Sequence, residues 1–358
     1  MAIYITGSLA YDRVMNFSGL FGDFILPEKI HTLNISFHVD SLEEKRGGTG
    51  GNIAYGLALM GESATILACV GKDFGPYKTY LKKIGVQVTG LRTLTDELTA
   101  GAYITTDRQG NQLTTFHEAA MSRPCEYSFA GLDPQKDIAI IAPTLTEDMV
   151  RHALFYKQKK LRYIFDPGQQ LSTMTARDLT DGITGAELLV SNGYELDLIC
   201  RITDLDLPGI LELTPVVITT FGHKGSRIAR SDGSLVQIPA TPITTTALAA
   251  PSASTIAGGS GGPGETALNP EGLSDIILDP TGAGDAYRAG LLKGLLEGMS
   301  LEHSACLGSV CAAFCVEKHG TQEYYFDQVM LAERLANAYN LHLPFTFNSN
   351  ICPAAKDC

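Results

Sequence analysis

Residues 279–290 read DPTGAGDAYRAG, and they join two different periodicities. Before them, 276–278 is a short apolar run that reads as a buried strand. After them, apolar residues recur at helical spacing over 286–296. The turn between holds Gly282 and Gly284, which permit backbone geometry closed to other residues. The first amides of the helix they open lack intrahelical partners and sit at the positive end of its dipole, where an anion is stabilised. Asp285 falls among those amides. A carboxylate able to take a proton, beside a hole for an anion, suits phosphoryl transfer to a hydroxyl. The plainer alternative is an ordinary strand-to-helix turn capped by Asp, and a lone GxGD would not exceed it.

The chain has 358 residues, enough for one large α/β domain with an insertion or for two domains. Its 44% apolar and 18% charged residues are ordinary for a globular protein. A net charge of −12 without a Lys/Arg cluster argues against a nucleic-acid partner, and the basic run 157–160 reads as the solvated end of a helix. No apolar run approaches the roughly 20 residues of a membrane span. The N-terminus, MAIYITGSLAYD, lacks a basic start and reads as a first strand, not a signal peptide. Of the 8 cysteines, Cys306, Cys311 and Cys315 lie in an apolar helical run and read as small core residues, while Cys352 and Cys358 sit in a polar tail. No Cys/His spacing matches a zinc site, so a reducing cytoplasm is expected.

Strand-like and helix-like runs then alternate. Strands are expected at 2–8, 65–70, 138–142, 163–166, 187–191 and 216–220, and helices at 53–60, 73–84, 147–159, 301–318 and 327–339. This rhythm predicts a doubly wound, mostly parallel sheet flanked by helices, with the site at the carboxyl ends of the strands. Two stretches differ. Over 17–39, Ile30, Leu33, Ile35, Phe37 and Val39 approach strict alternation, as does 99–116, and both read as half-exposed strands of a small separate sheet. The stretch 247–275 is rich in Ala, Gly, Ser, Pro and Thr, a composition that predicts disorder.

Several polar residues fall at strand ends. Asp12 follows the first strand by a few residues. Residues 46–52, RGGTGGN, precede a helix without the Lys-Ser/Thr of a Walker A loop, so a flexible turn competes with a phosphate cradle. Asn192 and Glu195 form an N-x-x-E element that doubles as a capping box.

The segment 279–290 resembles the signature of the PfkB, or ribokinase-like, carbohydrate kinases. The likeness runs over residues 1 to about 340 apart from the insertion, and within the family it is nearest to bacterial adenosine kinases, through GSLAYDRVM at 7–15, ILPEKIHTLNISF at 25–37, GGTGGNIAYGLALMG at 47–61, FDPGQQL at 165–171 and KHGTQEY at 318–324. The resemblance implies a ribokinase-like α/β domain over 1–345, with lid segments at about 13–44 and 97–120, the insertion at 247–275, and a tail at 346–358. It implies Asp285 as the base and Gly282, Ala283 and Gly284 as the anion hole. Asp12, Gly47, Gly48 and Asn52 would hold the acceptor's ribose. Asn192, Thr220, Gly222 and Gly225 would face ATP, and Asn192 with Glu195 would organise Mg2+ through water. His319 and Gly320 would lie near the adenine of ATP. The implied reaction is phosphorylation of the adenosine 5′-hydroxyl by a cytoplasmic monomer or homodimer. A kinase for another nucleoside or a free sugar stays open, as does a non-catalytic nucleotide-binding protein, which would have no use for the base.

Overall fold

The computed structural model describes residues 1–32, 34–243, 279–349 and 351. The run 276–278, the stretch 247–275, Leu33, Cys352 and Cys358 lie outside them. Among the described residues, nine strands form one sheet in the order β13-β12-β11-β10-β9-β8-β1-β4-β5. In chain order these are β1 (Ile3–Thr6), β4 (Ala64–Val70), β5 (Leu91–Thr93), β8 (Ile138–Ile141), β9 (Arg162–Phe165), β10 (Leu188–Asn192), β11 (Val216–Thr220), β12 (Ser226–Arg230) and β13 (Leu235–Ile238). All neighbours from β5 to β11 run parallel, and β12 and β13 add an antiparallel edge. The central strands carry continuous apolar runs because both faces are covered: IYIT in β1 and IAII in β8 are buried throughout.

One face is covered by α1 (Thr49–Leu59), α2 (Gly75–Lys83), α7 (Ala283–Leu296), α8 (Leu301–Val316) and α9 (Gln328–Tyr339). The other carries α3 (Thr146–Lys159), α4 (Ala176–Ile183), α5 (Gly193–Thr203) and α6 (Leu207–Leu213). Cys306, Cys311 and Cys315 are free thiols buried in the first of these cores. From β1 the chain goes to β4 on one side and later to β8 on the other, so β1 and β8 flank the point where strand order reverses. A crevice opens there, at the carboxyl ends of the strands. Among the described residues, no helix is long and apolar enough to cross a membrane.

A second sheet has the order β3-β2-β6-β7, with β2 (Ala10–Asn16), β3 (Ser41–Gly47), β6 (Ala100–Thr106) and β7 (Gln112–His117). The alternation at 30–39 does not make strands. Phe21–Asp23 and Pro27–Thr32 are 3-10 turns, residues 34–40 are irregular, and the strand begins only at Ser41. Pro27 has no N–H for a ladder, and Phe17, Phe21, Phe24 and Phe37 gather into a cluster with ring centroids 4.8–6.0 Å apart instead of spreading over a sheet face.

The helix expected from 53 starts earlier, at Thr49, so the glycine-rich run is largely its first turn. The glycines allow a close crossing with β1: a β-carbon at Gly50 would lie 2.8 Å from the Gly7 carbonyl carbon.

Candidate active site

The crevice is a cavity of about 420 Å³ bounded by the ends of β1, β8 and β9, the first turns of α1, α5 and α7, and the inner face of the second sheet. Its lining includes Asp12, Gly48, Asn52, Asn192, Glu195, Thr220, Gly282, Gly284 and Asp285. Residues spread from 12 to 285 in the sequence therefore meet around one space.

α7 enters through Gly282, whose φ of 79° is the left-handed region that glycine tolerates. The first backbone bond of the helix is donated by the Ala286 N–H to the Gly282 carbonyl, 2.9 Å away. The Ala283 amide donates to Pro280 O at 3.3 Å, and Ala283 itself does not line the cavity. Asp285 is 8% exposed and accepts from Asn52 Nδ2 over 2.8 Å. Burial pushes its carboxyl up to about 6, against the pull of Arg288 and the Asn52 bond. Asn52 is held in turn: its Oδ1 accepts from Gln322 Nε2 at 3.0 Å. The same nitrogen donates to the Tyr77 hydroxyl, which donates to Gly47 O over 3.1 Å.

At the opposite wall, Asp12 pairs in register with Ala102, and Ala102 with Phe116, so three residues form one row across β2, β6 and β7. All three line the cavity. Burial raises the Asp12 carboxyl to about 6, with Asp279 and Asp285 adding to the shift and Lys45 opposing it. Gly47 sits beneath Asp12: a β-carbon there would collide with the carboxylate, while Gly47 itself does not line the cavity. Gly48 lines it with a φ of 88°.

At the third side, Asn192 and Glu195 form a reciprocal cap of α5. The Asn192 N–H donates to Glu195 Oε2 at 2.7 Å, and the Glu195 N–H donates to Asn192 Oδ1 at 2.8 Å. Both side chains still line the cavity, as does Thr220 at the end of β11. Gly222 and Gly225 do not. Gly225 closes the turn into β12, where a β-carbon would meet Ile238 O and Ala240 N. Gly320 has a φ of 98°, His319 is exposed, and neither lines the cavity.

No sequence motif assigns a role to Asp166, Arg288, Gln322 or Phe116, yet Asp166, Arg288 and Phe116 line the cavity and Gln322 buttresses Asn52. Arg288 and Asp166 form a buried ion pair, with Nη2 donating to Oδ1 at 2.8 Å. Burial pushes the Asp166 carboxyl up, to about 7, and the guanidinium acts against it. The available signal was that Asp166 ends a strand and Arg288 lies one turn beyond Asp285. No cluster of three metal-ligating side chains occurs among the described residues.

The family model for the pfkB family carbohydrate kinases matches residues 12–247 and 265–326. The nucleoside kinase of Methanocaldococcus jannaschii is 29% identical over 299 residues, 82% of this chain and 87% of that protein. The structure of Burkholderia thailandensis nucleoside kinase in complex with inosine aligns with a TM-score of 0.76 at 30% identity, covering 95% of this chain and 99% of that one. A ribokinase from Thermotoga maritima shares the fold at 20% identity, with a TM-score of 0.71 and coverage of 94% and 100%.

Proposed function

We propose that this chain, which belongs to the pfkB family of carbohydrate kinases, transfers the γ-phosphoryl group of ATP to the 5′-hydroxyl of a purine ribonucleoside, adenosine first among them. The observation that carries this reading is the placement of Asp285. It is a buried carboxylate in the first turn of α7, 2.8 Å from Asn52 Nδ2, facing a cavity whose far wall is the Asp12 row. The nucleoside kinases among the relatives, one of them holding inosine, support a nucleoside as the acceptor. A related Burkholderia structure in complex with ADP-inosine supports ATP as the donor.

In this reading Asp12 accepts from the vicinal ribose hydroxyls and Asn52 adds a polar contact from the Asp285 side. Asp285, raised to about 6, is deprotonated at neutral pH yet basic enough to take the 5′-hydroxyl proton as the new bond forms. The amides of Gly284 and Asp285 in the first turn of α7, ahead of the helical bond at Ala286, face the charge that develops on the transferring group. The second sheet acts as a lid that excludes water. Nucleotide phosphates then lie toward Asn192, Glu195 and Thr220. Magnesium fits there as an ion that takes most of its ligands from phosphates and water. Glu195 is a single carboxylate with one oxygen already holding an N–H, which suits a reluctantly dehydrated cation. When bound, the ion neutralises phosphate charge.

The test is kcat/KM over adenosine, inosine, guanosine, cytidine, ribose and fructose. Adenosine is expected to lead, and to exceed 2′-deoxyadenosine by roughly 5- to 150-fold, because losing one hydroxyl leaves a buried acceptor short by about 1–3 kcal/mol. Asp12→Ala should shrink that gap with little change in ATP affinity. A free sugar outperforming every nucleoside would replace this reading with a sugar kinase.

A further inference from the structure

Arg288 stands one turn after Asp285 on α7 and is 7% exposed. Two of its three nitrogens lie against Asp166: Nη2 donates to Oδ1 over 2.8 Å, and Nε is in ion-pair contact with Oδ2. Asp166 lies one residue past the end of β9 and is itself 1% exposed, so the ion pair fixes the guanidinium plane. The third nitrogen, Nη1, has no hydrogen-bond partner among the described residues. It lies against the second residue of α7, where a β-carbon added at Gly284 would be 2.5 Å from it. Gly284 and Arg288 both line the cavity. The open corner of a buried cation therefore sits beside the helix turn whose amides have no intrahelical partners.

A guanidinium carries five N–H donors and keeps its charge at any working pH. The hydrogen bond to Asp166 uses one of them, while Nε lies against the same carboxylate as an ion-pair contact without donating to it. A pair serving only to tie α7 to β9 has no need to turn its remaining donors into a polar cavity. It also has no need for a glycine at 284 to leave that corner room.

We propose that Arg288 is a catalytic residue of phosphoryl transfer, its Nη1 donating to the equatorial oxygens of the γ-phosphoryl group as it passes the first turn of α7, with Asp166 as its positioning residue. The role rests on the kinase reading above. In the step, the acceptor hydroxyl oxygen forms the new bond to phosphorus and its proton passes to Asp285. The bond from phosphorus to the β–γ bridging oxygen breaks, and its electron pair leaves on ADP. Arg288 exchanges no proton and forms no covalent bond. It offsets charge where charge is greatest, and being pre-positioned by Asp166 it does so without reorganisation.

The experiment compares the full chain with Arg288→Lys, Arg288→Ala and Asp166→Asn by kcat on the alkaline plateau of each variant's own pH profile, because Arg288 also lowers the pKa of Asp285 and the plateau removes that effect on the base. The acceptor is whichever compound of the panel gives turnover. Turnover on a sugar alone would sink the nucleoside reading while leaving the arginine comparison intact. Removing one pre-positioned donor is expected to lower kcat by about 10²- to 10³-fold in Arg288→Ala and Arg288→Lys, with acceptor KM changed by less than about threefold. Millimolar guanidinium should restore about tenfold or more of the loss in Arg288→Ala, and only there, with an unchanged far-ultraviolet spectrum. Asp166→Asn should fall between wild type and Arg288→Ala. The lysine variant keeps the charge beside Asp166, so it reports even if the alanine variant does not fold. A wild-type kcat in Arg288→Lys overturns the proposal. So does a folded Arg288→Ala whose loss lies in KM or in thermal stability alone. A wild-type chain that phosphorylates nothing overturns the kinase reading and this role with it.

Discussion

Asn52 and Asp285 lie 233 residues apart in the chain and 2.8 Å apart in space, the amide Nδ2 of one donating to the carboxylate Oδ2 of the other. The bond joins the first turns of α1 and α7 at one wall of the cavity. It has a direction, because the other end of the Asn52 amide accepts from Gln322 Nε2. An amide held at both ends cannot rotate without losing both bonds, so Gln322 determines that Asp285 meets a donor and not an acceptor.

Gln322→Leu should therefore act through the base. With Asn52 released, its oxygen can turn toward Asp285, and the carboxylate loses a bond that lowers its pKa. The acid limb of the kcat/KM profile should move upward from about 6, while the rate at high pH stays near wild type. An unmoved acid limb would show that Gln322 only packs.

Asp285→Asn should abolish turnover by about 10²- to 10⁴-fold and leave ATP binding largely intact. It should also stabilise the fold at neutral pH. Burial raises the carboxyl from 3.8 to about 6, so the folded state favours the protonated form. That contribution is complete below 3.8 and disappears as pH rises through 6. At pH 7.5 the buried charge costs about 2–3 kcal/mol, which the neutral amide avoids while still accepting from Asn52. The melting temperature of the variant should exceed wild type by more at pH 7.5 than at pH 4.5, and a gap equal at both would refute the linkage.

Gly48→Ala should destabilise the chain. At φ 88° and ψ 136° a side chain is strained, and the added β-carbon would lie 2.6 Å from Ser8 O and 2.7 Å from Ala10 N. The strain alone is of order 1–3 kcal/mol. Urea midpoints should fall by a corresponding amount, and kcat/KM with them, because the same turn carries the chain between Asp12 and Asn52.

His152 provides an acid-sensitive contribution away from the cavity. It is buried between α3 and β1, its Nδ1 2.8 Å from Thr6 Oγ1 and its ring edge-on to Phe129. Burial lowers its pKa from 6.5 to about 3, with Arg151 adding to the shift. The folded state excludes a proton that the unfolded chain binds, so this stability is complete above 6.5 and is lost as pH falls toward 3. His152→Gln should flatten the decline in urea midpoint between pH 6.5 and 4 relative to wild type, even if its stability at neutral pH is lower.

The sequence by itself determined the parallel α/β architecture and the glycine-led helix start within 279–290, while the strand expected at 276–278 lies outside the described residues. Both depend on signals carried within a few consecutive residues: apolar runs such as IAII, glycines at a turn, and a carboxylate at a helix start. The capping pair of Asn192 and Glu195 was legible for the same reason, spanning only three positions. What the tertiary structure decided is which distant side chains meet. Gln322 orients Asn52, Asp166 holds Arg288, and Phe116 joins the Asp12 row only because β6 lies between β2 and β7. Gly225 reads in sequence like its neighbours around the nucleotide edge, yet it is placed by the close approach of Ile238 and Ala240. The stretch 34–40 alternates like a strand and remains irregular, because its aromatic residue Phe37 finds Phe17 and Phe21 before it finds a neighbouring strand. Periodicity reports how one segment presents its own faces. It is silent on which face of another segment will be opposite, and the chemistry of this cavity is made of those oppositions.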